Sequence, residues 1–113
     1  MKLSDLVKEL SLEVKTCKDG LANEVKGAYV SDLLSDVMGN SKDGDAWITL
    51  QTHMNIVAVA GLKNLAGIIV VGSRPVQDEI LKKAEAEKVT ILVTPLTAFE
   101  TAGRLYQLLK KVQ

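Results

Sequence analysis

Three short apolar segments, 46–50 (Ala-Trp-Ile-Thr-Leu), 67–71 (Gly-Ile-Ile-Val-Val) and 89–93 (Val-Thr-Ile-Leu-Val), alternate with helix-like stretches in the second half of the chain. No other feature restricts the fold as tightly. Near-continuous hydrophobicity in such short runs is what a strand covered on both faces requires. Strand and helix in alternation predict parallel strands joined by right-handed crossovers, and therefore an α/β domain with a mainly parallel sheet flanked by helices.

The intervening stretches differ in character. Residues 54–62, with Val57, Ala58, Val59, Ala60 and Gly61, are almost wholly small and apolar, which predicts a helix packed closely on the sheet with a further surface against its outer side. Val76, Ile80, Leu81 and Ala84 mark one stripe of a second helix among charged residues, and Pro75 stands where a helix favours its start. After Pro95, Thr97 is placed to cap a last helix whose buried stripe is Phe99, Ala102, Leu105, Tyr106 and Leu109. Lys110 and Lys111 complement the dipole at its far end.

The first half is less regular. Leu3, Leu6, Val7 and Leu10 share a helical face, and residues 12–16 then alternate with the period of a half-buried strand. Lys18-Asp19-Gly20 supplies a turn, 25–30 reads as extended, and Ser31 with Asp32 reads as the cap of a helix burying Leu33, Leu34, Val37 and Met38. That helix is expected to stop near Gly39-Asn40, and 39–45 is the natural loop. With no repeat or linker, residues 1–113 read as one domain, its first helix and strand lying within 1–24.

Charge and composition narrow the function. Fourteen Lys plus Arg balance fourteen Asp plus Glu, and only Trp47, Tyr29, Tyr106 and Phe99 are aromatic, so nucleic acid is not an expected partner. Cys17 is the lone cysteine, and the opening Met1-Lys2-Leu3-Ser4-Asp5 lacks a signal peptide's apolar run, so a cytoplasmic location is expected. The longest apolar run, 65–72, is under half of a membrane span, so no membrane is expected as partner. The Gly39–Gly44 and Gly67–Gly72 spacings lack the Lys-Ser/Thr ending of a P-loop, and neither a Gly-x-Gly fingerprint nor a Gly-x-Ser-x-Gly elbow occurs. A single histidine, His53, without ligand-type companions argues against a metal, and no cofactor is expected.

In an open parallel sheet, ligands bind outside the carboxyl ends of the strands. Three polar clusters stand there: Gln51, Thr52 and His53 with Asn55; Gly72, Ser73 and Arg74; and Thr94 with Thr97. Helix starts there offer free N–H groups to an anion, and the Arg74 fork suits phosphate or carboxylate. Thr52, Ser73, Thr94 and Thr97 are residue types that cap helices anyway, and capping explains such residues more often than ligand binding does; Arg74 has Asp78 within reach as a structural partner.

The run Gly27-Ala28-Tyr29-Val30-Ser31-Asp32-Leu33-Leu34 and the stretch from Trp47 to Thr94 resemble the DRTGG domain, a likeness extending from Val25 to Tyr106. The family's Asp-Arg falls near Thr52-His53 and its Thr-Gly-Gly near Val71-Gly72-Ser73, with Gly72 retained. The family is related to the N-terminal domain of HPr kinase/phosphorylase and occurs within pyrophosphatases with CBS domains and in some phosphate acetyltransferases. The resemblance implies an α/β accessory domain associated with regulation or dimer contacts. The leading expectation is a non-enzymatic regulatory or ligand-sensing homodimer that binds a small anionic metabolite or nucleotide around His53, Arg74 and Thr94. The alternative is a scaffold subunit docking a partner metabolic enzyme through the apolar 54–62 helix. A small enzyme with His53 as general base ranks last.

Overall fold

A computed structural model describes residues 1–111. Strands β1 (Glu13–Val14), β2 (Gly27–Val30), β3 (Asp45–Thr49), β4 (Gly67–Val70) and β5 (Ile91–Val93) form one sheet in the order β1-β5-β4-β3-β2. Strands β2 to β5 are parallel, and β1 pairs antiparallel with β5, Glu13 opposite Val93. The helices are α1 (Leu3–Leu10), α2 (Leu34–Asn40), α3 (Asn55–Leu62), α4 (Asp78–Ala86) and α5 (Ala98–Lys111). The α/β architecture with a mainly parallel sheet is the one the alternating segments predict.

The sheet advances from β2 to β5 in one direction, and right-handed crossovers then place α2, α3 and α4 on one common face. The burial follows this rule. Trp47, Ile68, Val70 and Ile91 pack with Val37 of α2, Ile56 and Val57 of α3, and Ile80 and Ala84 of α4. The alternate strand residues Ala46, Ile48, Ile69 and Leu92 point to the other face, against Leu3, Leu6 and Leu10 of α1 and Leu105 and Leu109 of α5. The two clusters make a three-layer sandwich around a sheet dry on both sides, which is why β4 and the middle of β3, Ala46 to Ile48, are apolar. Trp47, the largest buried side chain, donates its indole N–H to Ser31 O at 2.8 Å.

Several local expectations change. The alternating segment 12–16 contributes only Glu13 and Val14 as strand, but Thr16 is buried and donates to Val89 O while accepting from Ile91 N, stitching this edge to β5. Ser31 and Asp32 do not cap α2, whose cap position is Leu33. Ser31 Oγ accepts from Leu33 N, and the Asp32 carboxylate turns to β3 instead. Leu33 and Met38 are exposed, and only Val37 of α2 is fully buried. Pro75 lies in a loop, because α4 begins at Asp78. Phe99 and Tyr106 are not in the buried stripe of α5: they are 88% and 63% exposed, and Thr101, Leu105 and Leu109 face the core. Helix α3 is flanked by α2 and α4, and its outer line is Asn55, Ala58, Gly61 and Leu62, so Leu62 is its only large exposed apolar side chain.

Candidate functional site

After β3 and β4 the chain turns to helices on one face, whereas after β5 it crosses to α5 on the other. The carboxyl ends of β4 and β5 are therefore where the following loops diverge, and that divergence opens a crevice. A cavity of about 480 Å³ lies there, lined by Ser73, Arg74, Pro75 and Val76 after β4, by Val93, Thr94 and Pro95 at the end of β5, and by Ser11, Glu13 and Lys15 around β1. A second concavity of about 550 Å³ lies between the ends of β3 and β4, lined by Gln51, Thr52, His53, Met54, Arg74, Pro75, Gln77, Glu79 and Ile80. Arg74 is the wall the two share, with Pro75 beside it.

Of the expected strand-end residues, Ser73, Arg74 and Thr94 line the first cavity, Gln51, Thr52, His53 and Arg74 line the second, and three lie outside both. Asn55, Gly72 and Thr97 line neither. Thr97 is a capping residue: its hydroxyl accepts from Glu100 N at 3.1 Å and donates to the Glu100 carboxylate. Asn55 N donates to Nδ1 of His53 at 3.1 Å, just ahead of the α3 cap position at Met54, and Nε2 has no hydrogen-bond partner among the described residues. Gly72 has a positive φ of 71°, a conformation that a side chain disfavours, and Ser73 follows it into the same region at 57°. This double left-handed turn aims Gly72 N at Leu96 O (2.8 Å) and Ser73 N at Thr94 O (3.1 Å), tying the β4 loop to the β5 loop.

Several N–H groups of the strand-end loops, which precede the helix starts, are engaged within the chain. His53 N goes to Gln51 Oε1, Leu96 N to Thr94 Oγ1, and both Gly72 and Ser73 are tied across the crevice. Charged and polar side chains add to the polarity that faces the cavities. Arg74 does not pair with Asp78 or with any other carboxylate among the described residues, and its guanidinium keeps five donors. Lys15 lines the crevice with it and is held by Glu13 at 2.9 Å. Two cations against one carboxylate leave the β4–β5 crevice net positive. The β3–β4 concavity sets Arg74 against Glu79. Among the described residues, no three His, Cys, Asp or Glu side chains gather to hold a metal ion.

Sequence reasoning missed Ser11, Glu13, Lys15 and Asp32. The first three reach the site only because β1 runs antiparallel and starts beside the end of β5. Asp32, one strand end further along, accepts from Thr49 Oγ1 at 2.8 Å and Leu50 N at 2.7 Å, and so fixes the loop leading to Gln51 and Thr52. Beyond it, the Asp36 carboxyl is held below the usual carboxylate range by the hydroxyl of Ser31, then by Tyr29 and Asn40, and it raises the Tyr29 phenol in turn.

Comparison with known proteins agrees with this architecture. No curated protein matches the sequence. A structure of the CBS and DRTGG domains of the regulatory region of Clostridium perfringens pyrophosphatase, complexed with the activator diadenosine tetraphosphate, is similar at a TM-score of 0.75 and 20% identity. That likeness covers 94% of this chain and 46% of the other, so this chain spans less than half of that protein's length. The DRTGG domain family matches residues 5–108, nearly the whole sequence, and the chain belongs to that family.

Proposed function

We propose that this domain is a non-enzymatic, cytoplasmic regulatory module that senses a small anionic metabolite or nucleotide in the β4–β5 crevice and works as a homodimer. The observation that carries the ligand is Arg74, a guanidinium without a carboxylate partner among the described residues, set with Lys15, Ser73 and Thr94 around a cavity of about 480 Å³. A volume of that size suits a small molecule. A planar fork of N–H donors suits a phosphate group better than a point charge does. The similar regulatory region was solved with a nucleotide activator, which supports a nucleotide as the first probe. Kinship with the N-terminal domain of HPr kinase/phosphorylase belongs to the same proposal.

Calorimetric titration with diadenosine tetraphosphate, ATP, AMP and inorganic phosphate is the test. Saturable binding by the wild type that weakens at least about tenfold in Arg74→Ala, a loss of about 1.4 kcal/mol, is expected. No binding to the wild type, or equal binding by the variant, refutes it. A second reading, a scaffold subunit docking a metabolic enzyme, is favoured by the exposed Phe99, Tyr106 and Val30 rather than by α3. It requires a stoichiometric enzyme partner and no dimer of the isolated chain.

A further inference from the structure

Strand β2 is the open edge of the sheet, opposite the β1 edge. Its sequence, Gly27-Ala28-Tyr29-Val30, contains neither charge nor proline, the two devices by which edge strands commonly avoid pairing. Ser31 N reaches Ile48 O at 3.3 Å, and strand alternation then turns the N–H and C=O of Tyr29 toward β3 and those of Ala28 and Val30 outward. Beside this edge, α5 holds Phe99, Gly103, Tyr106 and Lys110 in one stripe. With Gly27, Ala28, Val30 and Ile48 that stripe frames a mainly apolar groove of about 720 Å³. Val30, Phe99 and Tyr106 are each more than half exposed, so the largest apolar residues of this region adjoin unpaired backbone.

We propose that the occupant of this edge is β2 of a second copy, paired antiparallel about a two-fold axis through Tyr29. The proposal rests on the homodimeric reading above and names its surface. With Tyr29 opposite Tyr29 of the other copy, Ala28 and Val30 face Val30 and Ala28, and each facing pair exchanges both backbone hydrogen bonds. The interface is isologous, as a closed dimer demands. The charges fit the same axis. Helix α5 begins at the carboxyl end of the sheet and runs back along β2, so two copies bring their α5 helices together antiparallel. Glu100 in the first turn of one then faces Lys110 and Lys111 in the last turn of the other. A parallel pairing of the two β2 strands would set like ends together.

Sedimentation of the full chain at high micromolar concentration, for the wild type and three variants, tests this surface. The wild type is expected to dimerise. Phe99→Glu and Tyr106→Glu together, at exposed positions the monomer fold does not need, are expected to raise the dimer dissociation constant at least about tenfold. Leu62→Glu on α3 is expected to leave it unchanged. Tyr29→Cys in a Cys17→Ser background is expected to oxidise to a covalent dimer, because a non-hydrogen-bonded antiparallel pair lies within disulfide reach. A dimer that survives the double variant, or that Leu62→Glu disperses, overturns the β2 edge and leaves the homodimer standing. A monomeric wild type overturns both, while ligand binding is read independently by calorimetry.

Discussion

The crevice at the ends of β4 and β5 and the free edge at β2 are opposites in how they use the backbone. In the crevice the turn after β4 is tied to the β5 loop, Gly72 to Leu96 and Ser73 to Thr94, and charged side chains, Arg74 and Lys15, line the cavity beside it. At the edge the side chains are apolar and the backbone of Ala28 and Val30 is left over. A rigid loop presenting one uncommitted guanidinium suits an ion that arrives and leaves. A strand with unspent hydrogen bonds beside exposed aromatics suits a partner that stays.

The contrast also runs through α5, whose two sides serve different purposes, and the largest effect is expected there. Leu105→Ala, a truncation at a fully buried position, is expected to cost about 2–5 kcal/mol of unfolding free energy, whereas Phe99→Ala in dilute solution is expected to stay within about 0.5 kcal/mol. Urea unfolding measures both, and a costly Phe99→Ala would place that ring in the monomer's core. Asp32→Ala is expected to cost about 1–2 kcal/mol, since it strips acceptors from Thr49 Oγ1 and Leu50 N. Its loss loosens the β3 loop and leaves the β4–β5 crevice intact. Thr101 buries a hydroxyl with no partner among the described residues, so Thr101→Val is expected to gain up to about 1 kcal/mol. A loss of stability would show that the hydroxyl is bonded after all.

The smallest expected effect is a pH dependence beside the edge. The Asp36 carboxyl lies below its ordinary range when folded, so the stability it contributes is present above the unfolded carboxylate value. That contribution is lost as pH falls through the lower folded value. Urea midpoints taken from neutral to acidic pH are expected to fall further for the wild type than for Asp36→Asn. Parallel curves would mean that Ser31, Tyr29 and Asn40 do not favour the charged form.

The centre of the sheet was legible because burial on both faces leaves no choice of residue: Ala46 to Thr49, Gly67 to Val70 and Ile91 to Val93 are strands in the positions their apolar runs predict. Surfaces were harder to read. Phe99 and Tyr106 lie on one line of α5, about a third of a turn from Leu105, and a helical period alone does not say which line faces inward. The aromatic rings drew the expected stripe toward themselves, while Thr101, polar by type, takes a core position. Arg74, Ser73 and Thr94 were legible as strand-end residues. Lys15 was not, because only the antiparallel pairing of β1 brings it there. Asp32 looked like a helix cap because Ser and Asp before an apolar run usually cap, but the nearby Leu50 N–H offered its carboxylate a partner across strands.

The division between a ligand crevice and a pairing edge is tested most directly by following backbone amide resonances while ATP is added to the ¹⁵N-labelled chain. Shifts gathered on Lys15, Ser73, Arg74 and Thr94, with Ala28, Val30, Phe99 and Tyr106 unmoved, are the predicted result. Shifts centred on β2 and α5, or no saturable shift anywhere, would contradict the account.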